Sequence, residues 1–384
     1  MKKIIKKLLY DLNILSIPFY LCRIFKIKNN KIICSNFYGN GYGDSPKYIC
    51  EELLKNKSRY DIVWVVKKNV PNEFPDGIRT VKVNSLKYIY ELSTSKVWIF
   101  NCRKNRAIKK RKEQFYIQTW HGGIALKKIE KDAESKLDQN YILQAKEDSK
   151  AIDLIVSNGT FCTNMYKRAF WYEHEIIECG TPRNDALINT DKCEIKEKIC
   201  NYFDIPKDYK ILLYAPTFRD KYIKNPYDIN FDNIIKILNN EIGNKWKVLI
   251  RLHPKENCPD KFINFGKDVI NATNYKDIQE LILSCDMLIT DYSSTMFEAM
   301  IANKQVILYA NDIEEYNMER GLYFSFDELP FKLATNNEEL KRILCEKNNN
   351  NEDRYNEFKK NIGLKEDGKA SLKIAEIIER NIYG

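Results

Sequence analysis

The chain has 384 residues, more than a single hydrophobic core usually organises, so two domains are expected. A hydrophobic content of 44% with 12% aromatic residues favours a folded protein and excludes a largely disordered one. Much of the net charge of +10 lies in residues 1–31, which hold eight basic groups and one acid. The remainder is nearly balanced, which argues against a nucleic-acid-binding surface.

The first predicted element is a helix from Lys2 to Leu15, with six leucines and isoleucines on one face and four lysines on the other. This pattern is typical of attachment to an anionic membrane surface, and packing on the helix's own domain is the alternative. The next stretch, 14–27, contains Pro18 and Arg23 and therefore lacks the roughly 20 apolar residues of a membrane span. No small-residue cleavage site follows, so a signal peptide is not expected either.

Apolar stretches of strand length then alternate with helical or polar segments. Strands are predicted at 31–37, 62–66, 80–83, 97–100, 115–119, 153–157 and 176–179, then at 211–214, 246–252, within 281–290 and at 306–309. Helices are predicted at 48–54, 135–150, 191–201 and 371–382. This alternation predicts parallel sheets with helices on both faces.

Cysteines and histidines limit the chemistry that the chain can perform. The eleven cysteines are scattered without a CxxC pair, several within apolar stretches, which favours reduced core thiols in a reducing compartment. His121 directly follows a buried strand and is flanked by glycines, so a general base is favoured over a structural histidine. His174 lies in a mixed polar stretch and is interpreted as structural or as a surface residue.

Glycines at Gly39, Gly41 and Gly43 follow the first strand. Their GxGxG spacing lacks the final GxxG of a dinucleotide fingerprint, so the segment is interpreted as a tight turn beside a substrate cleft.

Polar turns close several strands in the second half. Ser293 and Ser294 follow the apolar run 287–289 and open a helix, which suits a phosphate group, and an ordinary capped turn is the alternative. Two other strand ends present Thr217 with Arg219, and Arg251 with His253. Convergence of these turns would supply cations and hydroxyls but no acidic cluster for a metal. In the turn 180–185, Arg183 either grips a phosphate or braces an interdomain linker.

Taken in order, these motifs give the chain a resemblance to the CDP-glycerol glycerophosphotransferase family, which builds teichoic acids and related phosphopolyol polymers. The resemblance covers roughly residues 30–370. Its motifs are 118–122, 180–185, 215–220, 252–254, 288–294, and Asp312 with Tyr316, Arg320 and Gly321.

The resemblance implies an α/β, GT-B-like fold with two Rossmann-like domains and a central cleft, preceded by the amphipathic membrane-associating helix. The expected segments are 1–30 for membrane association, 31–190 for acceptor binding, 191–365 for CDP-alcohol binding and 366–384 for a C-terminal helix.

The implied reaction moves a polyol phosphate, foremost glycerol phosphate from CDP-glycerol, onto a hydroxyl of a lipid-linked glycan or polyol-phosphate acceptor and releases CMP. It would take place at the cytoplasmic face of the cell membrane. His121 and His253 are the implied catalytic residues, with His121 as the base and His253 holding the pyrophosphate. The implied substrate-binding residues are Arg183, Asn184, Thr217, Arg219, Arg251, Asp291, Ser293, Ser294, Glu298 and Arg320. No cofactor is expected to be required, Mg²⁺ is possible but not indicated, and no nucleic acid partner is expected.

Three alternatives stay open at this point: a CDP-ribitol-dependent transferase, a GT-B glycosyltransferase that uses a nucleotide sugar, and a basic binding protein without catalysis. The segment 123–127 is one residue longer than is common in the family, and Phe331 stands where the family often has glycine. Both departures leave the alcohol and the acceptor open.

Overall fold

The structure is a computed structural model that describes residues 10, 12–55, 59–70, 73–219, 225, 227–241, 243–253, 256, 263–313, 321–346 and 351–384. The chain divides into two compact units. The first consists of Met1–Gly123, Ile129–Asp185 and Leu364–Gly384, and the second of Ile124–Lys128 and Ala186–Gly363.

The strands of the described chain follow one another as expected from the apolar stretches. They are β1 (Lys28–Ser35), β2 (Asp61–Val66), β3 (Ile78–Lys82), β4 (Ser95–Phe100), β5 (Phe115–Gln118), β6 (Leu154–Ser157), β7 (Glu175–Glu178), β8 (Lys210–Tyr214), β9 (Trp246–Ile250), β10 (Val269–Asn271), β11 (Met287–Thr290), β12 (Gln305–Tyr309) and β13 (Lys332–Ala334).

The α-helices are listed in the same way. They are α1 (Ile17–Leu21), α2 (Asp44–Leu54), α3 (Leu86–Thr94), α4 (Gln139–Ser149), α5 (Thr160–Ala169), α6 (Asp185–Asn189), α7 (Lys192–Phe203), α8 (Phe231–Glu241), α9 (Ile278–Ser284), α10 (Thr295–Ile301), α11 (Asn337–Cys345), α12 (Glu352–Asn361) and α13 (Ala370–Tyr383).

The first unit is built on a seven-stranded parallel sheet in the order β3-β2-β1-β4-β5-β6-β7. Its inner strands bury nearly continuous apolar runs, because helices cover a parallel sheet on both faces. The C-terminal helix α13 belongs to this unit, where Ile374 and Ile378 are fully buried in the core beside α2 and β1. The strand order reverses between β1 and β4, and ligands of such sheets bind at this reversal, outside the carboxyl ends of the strands.

The second unit contains a six-stranded parallel sheet in the order β10-β9-β8-β11-β12-β13. Its order reverses between β8 and β11, so it repeats the Rossmann-like arrangement of the first unit. The prediction of two α/β domains with parallel sheets is therefore confirmed. The edge strands β10 and β13 were not predicted, because each has three residues and only one of those is buried.

Two helix predictions differ from the structure. The helix predicted over 135–150 is a 3₁₀ segment, Glu130–Lys136, followed by α4, because the Asp138 carboxylate accepts hydrogen bonds from the amides of Asn140 and Tyr141 and starts a new helix. The N-terminal helix was predicted over 2–15, but residues 1–9 and 11 lie outside the described residues. At the described end of this prediction, Asn13 has a left-handed φ of 55°, and a 3₁₀ segment, Ile14–Ser16, follows it.

None of the helices in the described ranges is both long and apolar enough to cross a bilayer. The ten cysteines that the structure describes are free thiols.

Candidate functional site

His121 lies in the turn that follows β5, at the carboxyl edge of the first sheet. Its Nδ1 is 3.0 Å from the backbone carbonyl oxygen of Asn101, the residue that follows β4. Because a carbonyl can only accept a hydrogen bond, Nδ1 carries the proton, and Nε2 keeps a lone pair. No hydrogen bond to Nε2 is formed by the residues that the structure describes. The imidazole is therefore oriented as a proton acceptor.

The surroundings of His121 favour its neutral form. Burial lowers its pKa below the ordinary value, and the hydrogen bond to Asn101 and the charge of Asp44 only partly oppose this effect. A neutral imidazole at physiological pH is the form that a general base requires.

The Arg183 guanidinium fixes the turn that carries His121. Its Nη1 donates to the His121 carbonyl oxygen at 3.1 Å and to Asp44 Oδ2 at 3.0 Å, and both side chains of the ion pair are buried. Asp44 opens α2 with a φ of 57°, which brings its carboxylate into this contact. Arg183 therefore positions His121 in this structure, whereas a contact with phosphate stays a prediction.

A carboxyl group with a shifted pKa contacts the turn 180–185, which carries Arg183. Glu366 accepts hydrogen bonds from the Thr181 amide at 3.0 Å and from Asn184 Nδ2 at 2.9 Å. Burial raises the pKa of Glu366 to about 7, despite the hydrogen bonds that favour its charged form. The predicted ligand Asn184 is only 2% exposed, and its role toward substrate stays a prediction.

The glycine-containing turn after β1 also lies beside His121. Phe37 and Tyr38 have φ values of 39° and 60°, although bulky side chains rarely adopt this left-handed region. Such residues cost on the order of 1–3 kcal/mol each. The Phe37 ring centroid lies 5.5 Å from that of His121, and the Phe37 amide donates to Asn101 Oδ1 at 2.9 Å.

In the second unit, the turns after β8 and β11 meet at the point where the strand order reverses. The Thr217 amide donates to Asp291 Oδ1 at 2.8 Å. The Ser293 hydroxyl is 2.8 Å from that of Thr295, at the start of the seven-residue helix α10. Ser293 and Ser294 are half-buried, and the Thr217 hydroxyl has no hydrogen-bond partner among the described residues. The Thr217 hydroxyl is buried, so the two serines are the partly accessible hydroxyl-bearing residues of this set.

Arg219 is held inside the second unit by two carboxylates. Its guanidinium lies 2.9 Å from Asp291 Oδ2 and 2.8 Å from Asp312 Oδ2, and the residue is 5% exposed. Tyr292 donates to the same Asp312 at 2.9 Å. This network ties the strand-end turns together, so a substrate contact of Arg219 or Asp291 stays a prediction.

The remaining predicted residues of the second unit have mixed surroundings. Arg251 donates to the Tyr275 carbonyl oxygen, and burial lowers the pKa of its guanidinium. Glu298 is buried and accepts a hydrogen bond from Gln279 Nε2 at 2.9 Å. His253 is exposed, with its ring centroid 5.4 Å from that of Phe218. Arg320 lies outside the described residues, as does Tyr316 of the same motif.

Sequence reasoning did not single out Asn101, Asp44 or Glu366 as site residues. Asn101 follows a predicted strand directly and Asp44 closes the glycine-containing turn, so position gave a weak signal for both. Glu366 gave no signal, because it lies more than 180 residues from its partners in the turn that starts at Thr181. Within the described ranges, no group of three metal-ligating side chains is present.

Known proteins resemble this chain over most of its length. Residues 18–380 match the family model described as CDP-Glycerol:Poly(glycerophosphate) glycerophosphotransferase. The teichoic acid poly(glycerol phosphate) polymerase of Staphylococcus epidermidis is 32% identical over 375 residues, which cover 93% of this chain and 51% of that protein. The chain therefore spans about half the length of this relative.

Two further proteins are similar over nearly their whole length. The teichoic acid glycerol-phosphate transferase of Staphylococcus aureus is 33% identical over 368 residues, covering 91% of this chain and 92% of that protein. A solved structure of the wall teichoic acid polymerase TagF, a histidine-to-asparagine variant soaked with CDPG, superimposes with a TM-score of 0.84 at 28% identity and covers 99% of this chain and 98% of that one. The resemblance inferred from the ordered motifs is confirmed, and the chain belongs to the CDP-glycerol:poly(glycerophosphate) glycerophosphotransferase family.

Proposed function

We propose that this protein transfers glycerol phosphate from CDP-glycerol to a hydroxyl of a lipid-linked glycan or polyol-phosphate acceptor and releases CMP, in the synthesis of a teichoic-acid-type polymer. Membership of the family supports the reaction class. Glycerol phosphate is favoured because both relatives described above are named for it, and a TagF structure was obtained after a soak with CDPG.

The observation that carries the proposal is the state of His121. Its Nδ1 proton is held by the Asn101 carbonyl oxygen at 3.0 Å, and burial keeps the ring neutral. An alcohol is a poor nucleophile until its proton is accepted, so a fixed neutral imidazole supports alcohol activation.

In the proposed step, the acceptor oxygen forms a bond to the phosphorus that bears glycerol, and the bond from that phosphorus to the bridging oxygen breaks. The proton of the alcohol passes to His121 Nε2, and CMP leaves with the bridging oxygen. Negative charge on the diphosphate must be stabilised while this happens. Hydroxyls of Thr217, Ser293 and Ser294 and the imidazole of His253 are the groups of the second unit that we assign to this role.

CMP release measured with a lipid-linked acceptor tests the proposal. CDP-glycerol, CDP-ribitol and a set of UDP-sugars are compared at equal concentration, and we expect release from CDP-glycerol. Turnover with CDP-ribitol alone would reassign the alcohol, and turnover with a UDP-sugar would identify a glycosyltransferase. A folded protein that is inert with every CDP-alcohol would contradict the proposal.

We further propose that the N-terminal segment binds an anionic membrane surface at the cytoplasmic face of the cell membrane. Phe19 is buried, and the ring centroid of Phe25 lies 5.1 Å from that of Tyr90, so the segment is held on the first unit. Leu21 and Ile24 are nevertheless 66% and 82% exposed. Exposed aliphatic side chains beside a basic stretch suit insertion at a lipid interface.

Sedimentation with vesicles containing anionic lipid tests this attachment. The double substitution of Leu21 and Ile24 by Asp should release most of the protein into the supernatant. The change Leu372→Asp is the control, because Leu372 is 42% exposed on α13, in another part of the unit. Equal sedimentation of both variants and the wild type would contradict the proposal.

A further inference from the structure

The mechanism above makes no use of the turn after β1, although this turn is held firmly in place. Phe37 and Tyr38 are consecutive left-handed residues at the reversal of strand order in the first sheet. The Gly39 carbonyl oxygen accepts a hydrogen bond from the Lys67 amide at 2.9 Å, and a Cβ at Gly39 would lie 3.0 Å from that nitrogen. Strained conformations that the surroundings enforce in this way are concentrated at functional sites.

Core packing does not explain the strain. Phe37 is 38% exposed and Tyr38 is 51% exposed, so both side chains remain accessible, and the Phe37 ring lies beside His121. Partial burial raises the pKa of Tyr38 to about 12, so its phenol is a hydrogen-bond donor at neutral pH.

A basic surface pocket adjoins this turn. Its volume is about 500 Å³, and it is lined by Lys67 and Lys68 after β2, Lys82 at the end of β3, and Lys87 in α3, with no acidic residue in its lining. In the described part of the chain, the four ammonium groups form neither ion pairs nor hydrogen bonds.

The positive charge of Lys67 acts on Cys102, which lies beside His121. Cys102 Sγ lies 3.9 Å from His121 Nδ1. Burial raises the pKa of the Cys102 thiol to about 12, and the nearby positive charge of Lys67 acts in the opposite direction. The pocket, the strained turn and the imidazole therefore lie side by side along the carboxyl edge of one sheet, where ligands of this fold bind.

We propose that the Phe37–Tyr38 turn and the lysine pocket form the acceptor subsite, and that the pocket binds the phosphodiester groups of a polyol-phosphate chain whose terminal alcohol lies at His121. This inference rests on the proposed function. Lysine suits such a ligand, because its mobile point charge attracts successive phosphates without the fixed geometry that arginine imposes. A chain of this kind passes the aromatic rings before its next phosphates reach the pocket.

The test uses the full-length protein, CDP-glycerol and synthetic oligo(glycerol phosphate) acceptors of one to six units without lipid. The double variant Lys67→Gln, Lys82→Gln should raise the acceptor KM at least tenfold for the longer oligomers and leave the CDP-glycerol KM within twofold. The difference from wild type should shrink at high salt, because salt screens exposed charges. The matched control is Lys112→Gln, Lys150→Gln, which removes the same charge from the exposed loops before β5 and β6, at the opposite edge of the sheet.

The strained turn is tested by Tyr38→Asn, because asparagine tolerates the left-handed conformation. The thermal midpoint should stay the same or rise, while the acceptor KM rises severalfold. A fall in both stability and turnover, without a change in acceptor KM, would assign the turn a structural role and overturn this part of the inference.

Direct binding separates the two proposals. Calorimetry with the oligomers and no donor should give a weaker affinity for the pocket variant than for the control, whether or not CMP is released. Inactive wild type that still binds oligomers through the pocket would contradict only the proposed reaction. Active enzyme whose pocket and control variants have the same acceptor KM would overturn the subsite. If the pocket variant raised the KM only for an acceptor that has a lipid diphosphate and no polyol phosphate, the assignment of the pocket to phosphodiesters would be overturned.

Discussion

The change Glu366→Gln should alter how the stability of the first unit depends on pH. The two carboxylate oxygens of Glu366 accept from the Thr181 amide at 3.0 Å and from Asn184 Nδ2 at 2.9 Å. The side chain of Asn158 lies beside this carboxylate, and its amide oxygen can accept a hydrogen bond from a protonated Glu366 or from glutamine. Glutamine keeps the shape of the protonated acid, and its NH2 group can donate to Asn184 Oδ1, which has no partner among the described residues, once the Asn184 amide turns over.

The magnitude follows from the raised pKa. Burial raises the pKa of Glu366 from 4.5 to about 7, so the folded state binds the proton more tightly than the unfolded chain does. Because one pKa unit corresponds to about 1.4 kcal/mol, this group should contribute about 3 kcal/mol to the free energy of unfolding below pH 4.5. That contribution is lost as the pH rises through about 7. At pH 8 the buried carboxylate is ionised, and Glu366→Gln should be at least as stable as the wild type.

Urea unfolding between pH 5 and pH 8, followed by tryptophan fluorescence, measures the effect. Four of the five tryptophans lie in the first unit, so the signal reports mainly on its unfolding. The wild type should lose stability over this range relative to Glu366→Gln, and the control Glu376→Gln, at an exposed position of α13, should follow the wild type. Parallel curves for the wild type and Glu366→Gln would refute the reasoning.

Substitutions at three further positions test His121 and its surroundings. His121→Ala should abolish CMP release with little change in the CDP-glycerol affinity measured by calorimetry, and a normal rate for this variant would exclude His121 as the base. In the wild type, the acid limb of the kcat/KM profile should lie below pH 6.5, because burial lowers the pKa of His121. Arg183→Ala should lower the free energy of unfolding in urea by about 3–5 kcal/mol, because it leaves Asp44 buried and unpaired. Arg183→Lys should restore part of both the stability and kcat. Equal stability of the wild type and the two variants would contradict the ion-pair argument. Gly123→Ala should lower the thermal midpoint and kcat, because its Cβ would lie 2.3 Å from Asn158 Nδ2, and an unchanged midpoint would show that the turn has room.

Much of the fold could be predicted from the sequence, because long apolar runs separated by polar turns identify strands of a parallel sheet with little ambiguity. The central strands β1, β4, β8 and β11 were all anticipated to within a few residues. Prediction failed where tertiary contacts decide the secondary structure, as at the half-exposed edge strand β10. The break before α4 was missed because the cap formed by Asp138 interrupts an otherwise helical pattern.

The position of site residues was easier to predict than their partners. Motifs at strand ends located His121 and Ser293 at sheet edges where ligands bind. Spacing along the chain carries no information about contacts such as that between Asn184 and Glu366, which lie 182 residues apart. Chain order therefore identified the turns, and the structure was needed to assign the hydrogen bonds within them.

The arginines illustrate why residue type alone overestimates phosphate binding. A guanidinium that loses its water on folding is stable only beside carboxylates or carbonyl oxygens, and removal of one partner is costly. Arg183 with Asp44 and Arg219 with Asp291 are pairs of this kind, and in both pairs the two side chains are at most 9% exposed. A loss of activity on substitution of either arginine would therefore indicate first a change in the geometry of its turn, not the loss of a contact with phosphate. Among the described residues assigned to anion binding, the half-buried serines, the exposed His253 and the pocket lysines can exchange water for phosphate without breaking a buried ion pair.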